Sequence, residues 1–75
     1  MMLMEEFMFL GLRMNKGVSR FDFEKYFGIS IDAIYREVID ELKGQELLVV
    51  KNGQIFLSEK GMDLSNYAMS RFLLT

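Results

Sequence analysis

The sequence predicts a mostly helical α+β domain, and three features carry that prediction. They are a long run of apolar residues at helical spacing in mid-chain, an Asn-Gly turn between two short apolar strands, and glycines that punctuate the segments. With 75 residues the chain is read as a single domain over 1–75, too short to split its core. Seven Phe and three Tyr supply the apolar area that so small a core needs, and seven Met add adaptable filler.

The first helix is expected from Leu3 to Met14, with Glu5 and Glu6 near its positive end and Arg13 near its negative end. Asn15, Lys16 and Gly17 stop it. A second, short helix runs from Arg20 to Phe27, begun by Ser19 as N-cap and ended by Gly28, the residue type that turns left-handed most cheaply. Ser30 caps a third helix from Ile31 to Lys43, in which Ile31, Ile34, Val38, Ile39 and Leu42 recur at helical spacing before Gly44. Leu47 to Lys51 and Gln54 to Leu57 are strands joined by Asn52-Gly53, a pair that accepts the positive φ angles of a two-residue hairpin. Ser58 caps a last helix from Glu59 to Leu74, where Leu64, Ala68 and Phe72 form a stripe, although Gly61 blurs its start. Three helices, a two-stranded antiparallel hairpin and a C-terminal helix make a winged-helix-like order, with Asn52-Gly53 as a very short wing.

The composition narrows the chemistry. The chain has no Cys and no His, so it lacks the side chains that most often bind transition metals or move protons near neutral pH. Without Cys a disulfide scaffold is excluded, and a cytoplasmic setting is expected. The amino-terminal apolar stretch carries Glu5 and Glu6 and has no basic residue before it, which fits neither a signal peptide nor a membrane span. Gly11, Gly17 and Gly28 do not fall in a phosphate-cradling pattern and read as packing and turn glycines. The carboxylates are scattered over helix surfaces, with no sign of a cleft holding two of them in different environments. No catalytic, cofactor-binding or metal-binding residue is therefore assigned.

Winged helices commonly bind DNA, and the third helix would be the reading element. Its charges are Asp32, Arg36, Glu37, Asp40, Glu41 and Lys43, so acids outnumber bases and the helix would repel phosphates. The wing adds only Lys51, and the net charge is -2. An independent winged-helix module for protein association or DNA binding is the alternative reading, with DNA the weaker half of it.

The first helix is unusual. At 100° per residue, Leu3, Phe7, Leu10 and Met14 fall together, and Gly11, Met4, Met8 and Leu12 widen the apolar arc to roughly 200°, more than a surface helix needs. Two explanations compete: the helix is central in its own domain, or part of the arc meets a partner. On the second, Met4, Met8, Phe9 and Leu12 form an inter-domain interface, and Gly11 lets another backbone approach.

The segment Glu6-Phe7-Met8-Phe9-Leu10-Gly11-Leu12-Arg13, followed by Gly17-Val18, resembles the start of the carboxy-terminal domain of the oxygen-independent coproporphyrinogen III oxidase and HemW haem chaperone family. Phe21, Phe23-Glu24 and Tyr26-Phe27-Gly28-Ile29 resemble that family's short helix and turn, and Leu57-Ser58-Glu59-Lys60-Gly61 with Leu64-Ser65-Asn66 resembles its strand end and last helix. The resemblance implies a radical S-adenosylmethionine parent whose barrel holds a [4Fe-4S] cluster through CxxxCxxC and cleaves S-adenosylmethionine, the oxidase branch decarboxylating coproporphyrinogen III. No cluster ligand carries over, because this sequence has no Cys. The expected partner is thus the barrel domain on the amino-terminal side, with no membrane and no nucleic acid. Haem, implied by the chaperone branch, would find only Met or Tyr as axial ligands here.

Overall fold

A computed structural model describes residues 2–74. The helices α1 (Met4–Leu12), α2 (Arg20–Phe27) and α3 (Ile31–Gly44) flank a sheet of β1 (Val18–Ser19), β2 (Leu48–Lys51) and β3 (Gln54–Leu57), and α4 (Glu59–Asp63) and α5 (Ser65–Ser70) close the chain. The α+β class expected from the sequence is the class observed.

Local chemistry sets most boundaries. Ser19, Ser30 and Ser58 each accept a bond from a backbone amide in the first turn of the helix that follows, at 3.1, 3.2 and 2.9 Å, so the three predicted N-caps are in use. Gly28 closes α2 in the left-handed region at φ 74°. The hairpin pairs Leu48 with Leu57 and Lys51 with Gln54 across Asn52 (φ 52°) and Gly53 (φ 78°), both central turn residues having positive φ.

Four features depart from expectation. First, β1 pairs antiparallel with β3, Val18 opposite Ile55 and Ser19 opposite Gln54, which makes a three-stranded sheet of order β1-β3-β2 instead of a lone hairpin. Two residues are too few to show an alternating pattern. Second, α3 takes in Gly44 where the sequence expectation stopped at Lys43, and the left-handed residue at its end is Glu46 (φ 64°). There Leu47 N donates to Leu42 O at 2.9 Å and Glu46 N to Lys43 O at 3.0 Å, the two bonds of a Schellman closure. Third, the last helix is broken at Leu64 (φ -110°, ψ 33°), which turns Leu64 outward while Ala68 and Phe72 stay fully buried. The first helix also stops two residues early, as Met14 N bonds Gly11 O at 3.1 Å and the chain turns toward β1.

The core joins every layer. Phe23 of α2 packs against Phe27 (4.7 Å between ring centroids), Phe7 of α1 (5.5 Å) and Tyr35 of α3 (6.3 Å), and Tyr35 in turn meets Phe72 (5.1 Å). No charged side chain is buried among the described residues. At Gly61 a side chain is excluded, because a Cβ there would lie 2.0 Å from the Leu47 carbonyl oxygen. The glycine that blurs the helix start in the sequence is what lets α4 lie against the backbone at Leu47, just before β2.

Candidate docking surface

The wide apolar arc of α1 is divided in two. Met8 and Leu12 are wholly inside the domain's own core, at 0% exposure, and Met4 and Phe9 are half-buried and packed against it. Of the four residues expected at an interface, two therefore have no surface to offer a partner in this fold. The other edge of the arc is open, with Leu3 57%, Leu10 53% and Met14 57% exposed. Phe7 and Leu10 share a face of α1, and Met14, just past the helix end, lines the same groove with them.

Gly11 explains which half turned inward. A Cβ at Gly11 would come within 2.5 Å of Val18 Cγ2, so the glycine lets α1 settle directly on β1. The close approach expected at Gly11 is made within the domain, to a strand too short to read from the sequence. Beside that contact runs an open groove of about 240 Å³, walled by Phe7, Leu10, Met14 and Val18 and rimmed by Ser19 and Asp22. Tyr26 adjoins two of the groove's lining residues: its hydroxyl accepts the Met2 amide at 3.3 Å and its ring lies 6.2 Å from Phe7.

Other exposed apolar side chains lie on α2 and in the C-terminal segment, among them Phe21, Met62, Leu64, Leu73 and Leu74. Phe21 projects from the outer side of α2 with Lys25 Nζ 6.0 Å from its ring centroid, a cation and an aromatic face in partial contact. On α3 the exposed acids engage neighbouring guanidiniums: Asp32 binds Arg20 at 2.5 Å, and Glu41 binds Arg71 through both oxygens at 2.8 and 3.3 Å. The Arg71 guanidinium is held further into its charged form by that carboxylate. These pairs leave the outer face of α3 without a basic stripe.

The Tyr35 hydroxyl is the single buried side-chain polar atom without a hydrogen-bond partner among the described residues. Burial, and secondarily the nearby Glu5 carboxylate, pushes this phenol up to about 12. It lies under Phe72 in the core and opens to no groove described above.

The donor chemistry does not suit an iron–sulfur cluster. The chain has no thiolate to offer, and no group of three His, Cys, Asp or Glu side chains converges among the described residues. No helix among the described residues is long and apolar enough to cross a membrane.

Fold and surface together define a small α+β domain with an open apolar groove beside its first helix. The chain belongs to the HemN C-terminal domain family, whose model matches residues 2–64. It is 43% identical over 70 residues to the protein named heme chaperone HemW in Lactococcus lactis, which covers 93% of this chain and 18% of that protein. It is 35% identical over 69 residues to heme chaperone HemW of Bacillus subtilis, again 92% of this chain and 18% of the relative. The chain thus spans less than a fifth of the length of these curated relatives. No solved structure matches it.

Proposed function

We propose that this chain is the noncatalytic C-terminal accessory domain of a longer radical S-adenosylmethionine protein, and that the open edge of α1 docks it on the catalytic barrel. The observation that carries the reading is the pair of exposed side chains Leu10 and Met14 lining the groove at β1, with Leu3 also open at the start of the helix, an apolar surface that the domain does not cover itself. The interface expected from the sequence at Met4, Met8, Phe9 and Leu12 is accordingly moved along the same helix, keeping the accessible edges of Met4 and Phe9 at its margin.

In this reading the barrel supplies the cluster and S-adenosylmethionine, and the present residues supply contact and orientation. Both relatives carry the name of haem chaperones, which favours haem delivery over coproporphyrinogen oxidation as the parent's role. A cytoplasmic setting accompanies it. A DNA-binding role is disfavoured by the acids of α3, whose guanidinium partners are already engaged.

The coding sequence upstream provides the test. A CxxxCxxC motif followed by alternating strands and helices is expected there, and an upstream frame without them overturns the assignment.

A further inference from the structure

Residues 59–74 read in sequence as one helix, yet the chain bends at Leu64 (φ -110°, ψ 33°) with no Pro or Gly at that point. Helical bonds run up to the bend from both sides, Leu64 N to Lys60 O at 3.1 Å and Ala68 N to Leu64 O at 3.0 Å. The helix that follows starts without a side-chain cap. Bringing Leu64 alone to helical dihedrals would let the amides of Ser65, Asn66 and Tyr67 reach the carbonyls of Gly61, Met62 and Asp63. Local preference thus favours a straight helix, and something else holds it bent.

The restraint is tertiary. Ala68 and Phe72 are fully buried, and Phe72 sits edge-on to Tyr35 at 5.1 Å and 66°. Arg71 grips Glu41, the Leu74 amide donates to Glu5 at 2.5 Å, and Tyr67 meets Gln45 at 3.2 Å. Every one of these partners belongs to α1, α3 or the turn after it, on the other side of the bend. A second copy of the chain offers the same set.

We propose that residues 65–74 exchange between two copies of this chain. The segment α4–α5 straightens at Leu64, each Phe72 fills the other copy's pocket against Tyr35, and each Arg71 pairs with the other copy's Glu41. The contacts are conserved in kind, and the uncapped amides gain helical acceptors, which makes exchange inexpensive and symmetric. The surface so formed is distinct from the α1 stripe, and the inference does not rest on the function proposed above.

Charge reversal distinguishes exchange from ordinary surface association. Glu41→Arg and Arg71→Glu each place like charges together in a monomer or in a dimer of identical chains, whereas an exchanged pair of the two variants restores opposite charges at both positions. The two 75-residue variants are unfolded together, refolded as a mixture and weighed by light scattering after size exclusion. The mixture is expected to hold roughly tenfold more dimer than either variant alone. A mixture no richer in dimer than the separate variants overturns the proposal, as does equal dimer in all three samples. Should the reversals unfold the chain, Leu64→Ala decides, since it raises helix propensity at the one exposed residue that must become helical. More dimer than the unmodified chain supports exchange, and an unchanged mass overturns it.

Discussion

Replacing Tyr35 by Phe should stabilise this domain, the reverse of what trimming a buried aromatic usually does. The Tyr35 ring is 1% exposed and touches Phe23 and Phe72 edge-on, contacts that a Phe ring retains. Its hydroxyl has no partner, and a buried hydroxyl without one costs about 1–3 kcal/mol relative to water. Removing the oxygen forfeits a few dispersion contacts, together under about 1 kcal/mol. The net expectation is a gain of about 1 kcal/mol, or about 4–8 °C in Tm for a domain of this size. The effect has a pH signature as well. The folded phenol is raised to about 12 from an ordinary 10.0. Between those values the unfolded chain has released the Tyr35 proton while the folded chain keeps it, so the folded state binds more protons. Stability contributed by this group is therefore full below pH 10 and declines toward pH 12, by roughly 1 kcal/mol per pH unit. Urea unfolding of the parent chain and Tyr35→Phe at neutral pH and at pH 11 measures both terms. A lower midpoint for Tyr35→Phe at neutral pH, or the same alkaline loss in both proteins, would refute the reasoning.

Other substitutions separate the two halves of the α1 arc and test the turns. Met8→Ala should cost about 2–5 kcal/mol in urea unfolding because Met8 has no exposed surface, while Leu10→Ala on the open edge should stay within about 0.5 kcal/mol. Glu46→Gly should stabilise by about 0.5–1 kcal/mol, since it relieves a left-handed residue at φ 64° and keeps the backbone carbonyl that accepts the Ser58 hydroxyl. Thermal melts suffice to read it, and a lower Tm would contradict the assignment of Glu46 to the Schellman position. Gly61→Ala, a change that favours helix on propensity alone, should destabilise by about 2 kcal/mol or more because its Cβ meets the Leu47 carbonyl at 2.0 Å.

The comparison of sequence with structure shows where local information ends. Ser19, Gly28, Ser30, Asn52-Gly53 and Ser58 act on neighbours within four residues, and each sits where its chemistry requires. The two-residue strand β1 exists through its pairing with β3, about 37 residues away along the chain. Because β1 was not legible, neither was the seating of Gly11 on Val18, which decides the half of α1 that turns inward. Periodicity gave the width of the arc but not its orientation, so Met8 and Leu12 were expected at an interface and are found in the core. The break at Leu64 was hidden for the same reason, since Phe72 and Arg71 are drawn to Tyr35 and Glu41 by contacts distant in sequence.

The docking claim is tested most directly by carbene footprinting of Met14 in this domain alone and in the longer protein that contains it, with Met62 as the internal reference. Both side chains are open in the domain, Met14 lining the proposed groove and Met62 on α4 outside that lining. The account predicts that labelling of Met14 falls sharply in the longer protein while Met62 is unchanged. Equal labelling of Met14 in the two would contradict it.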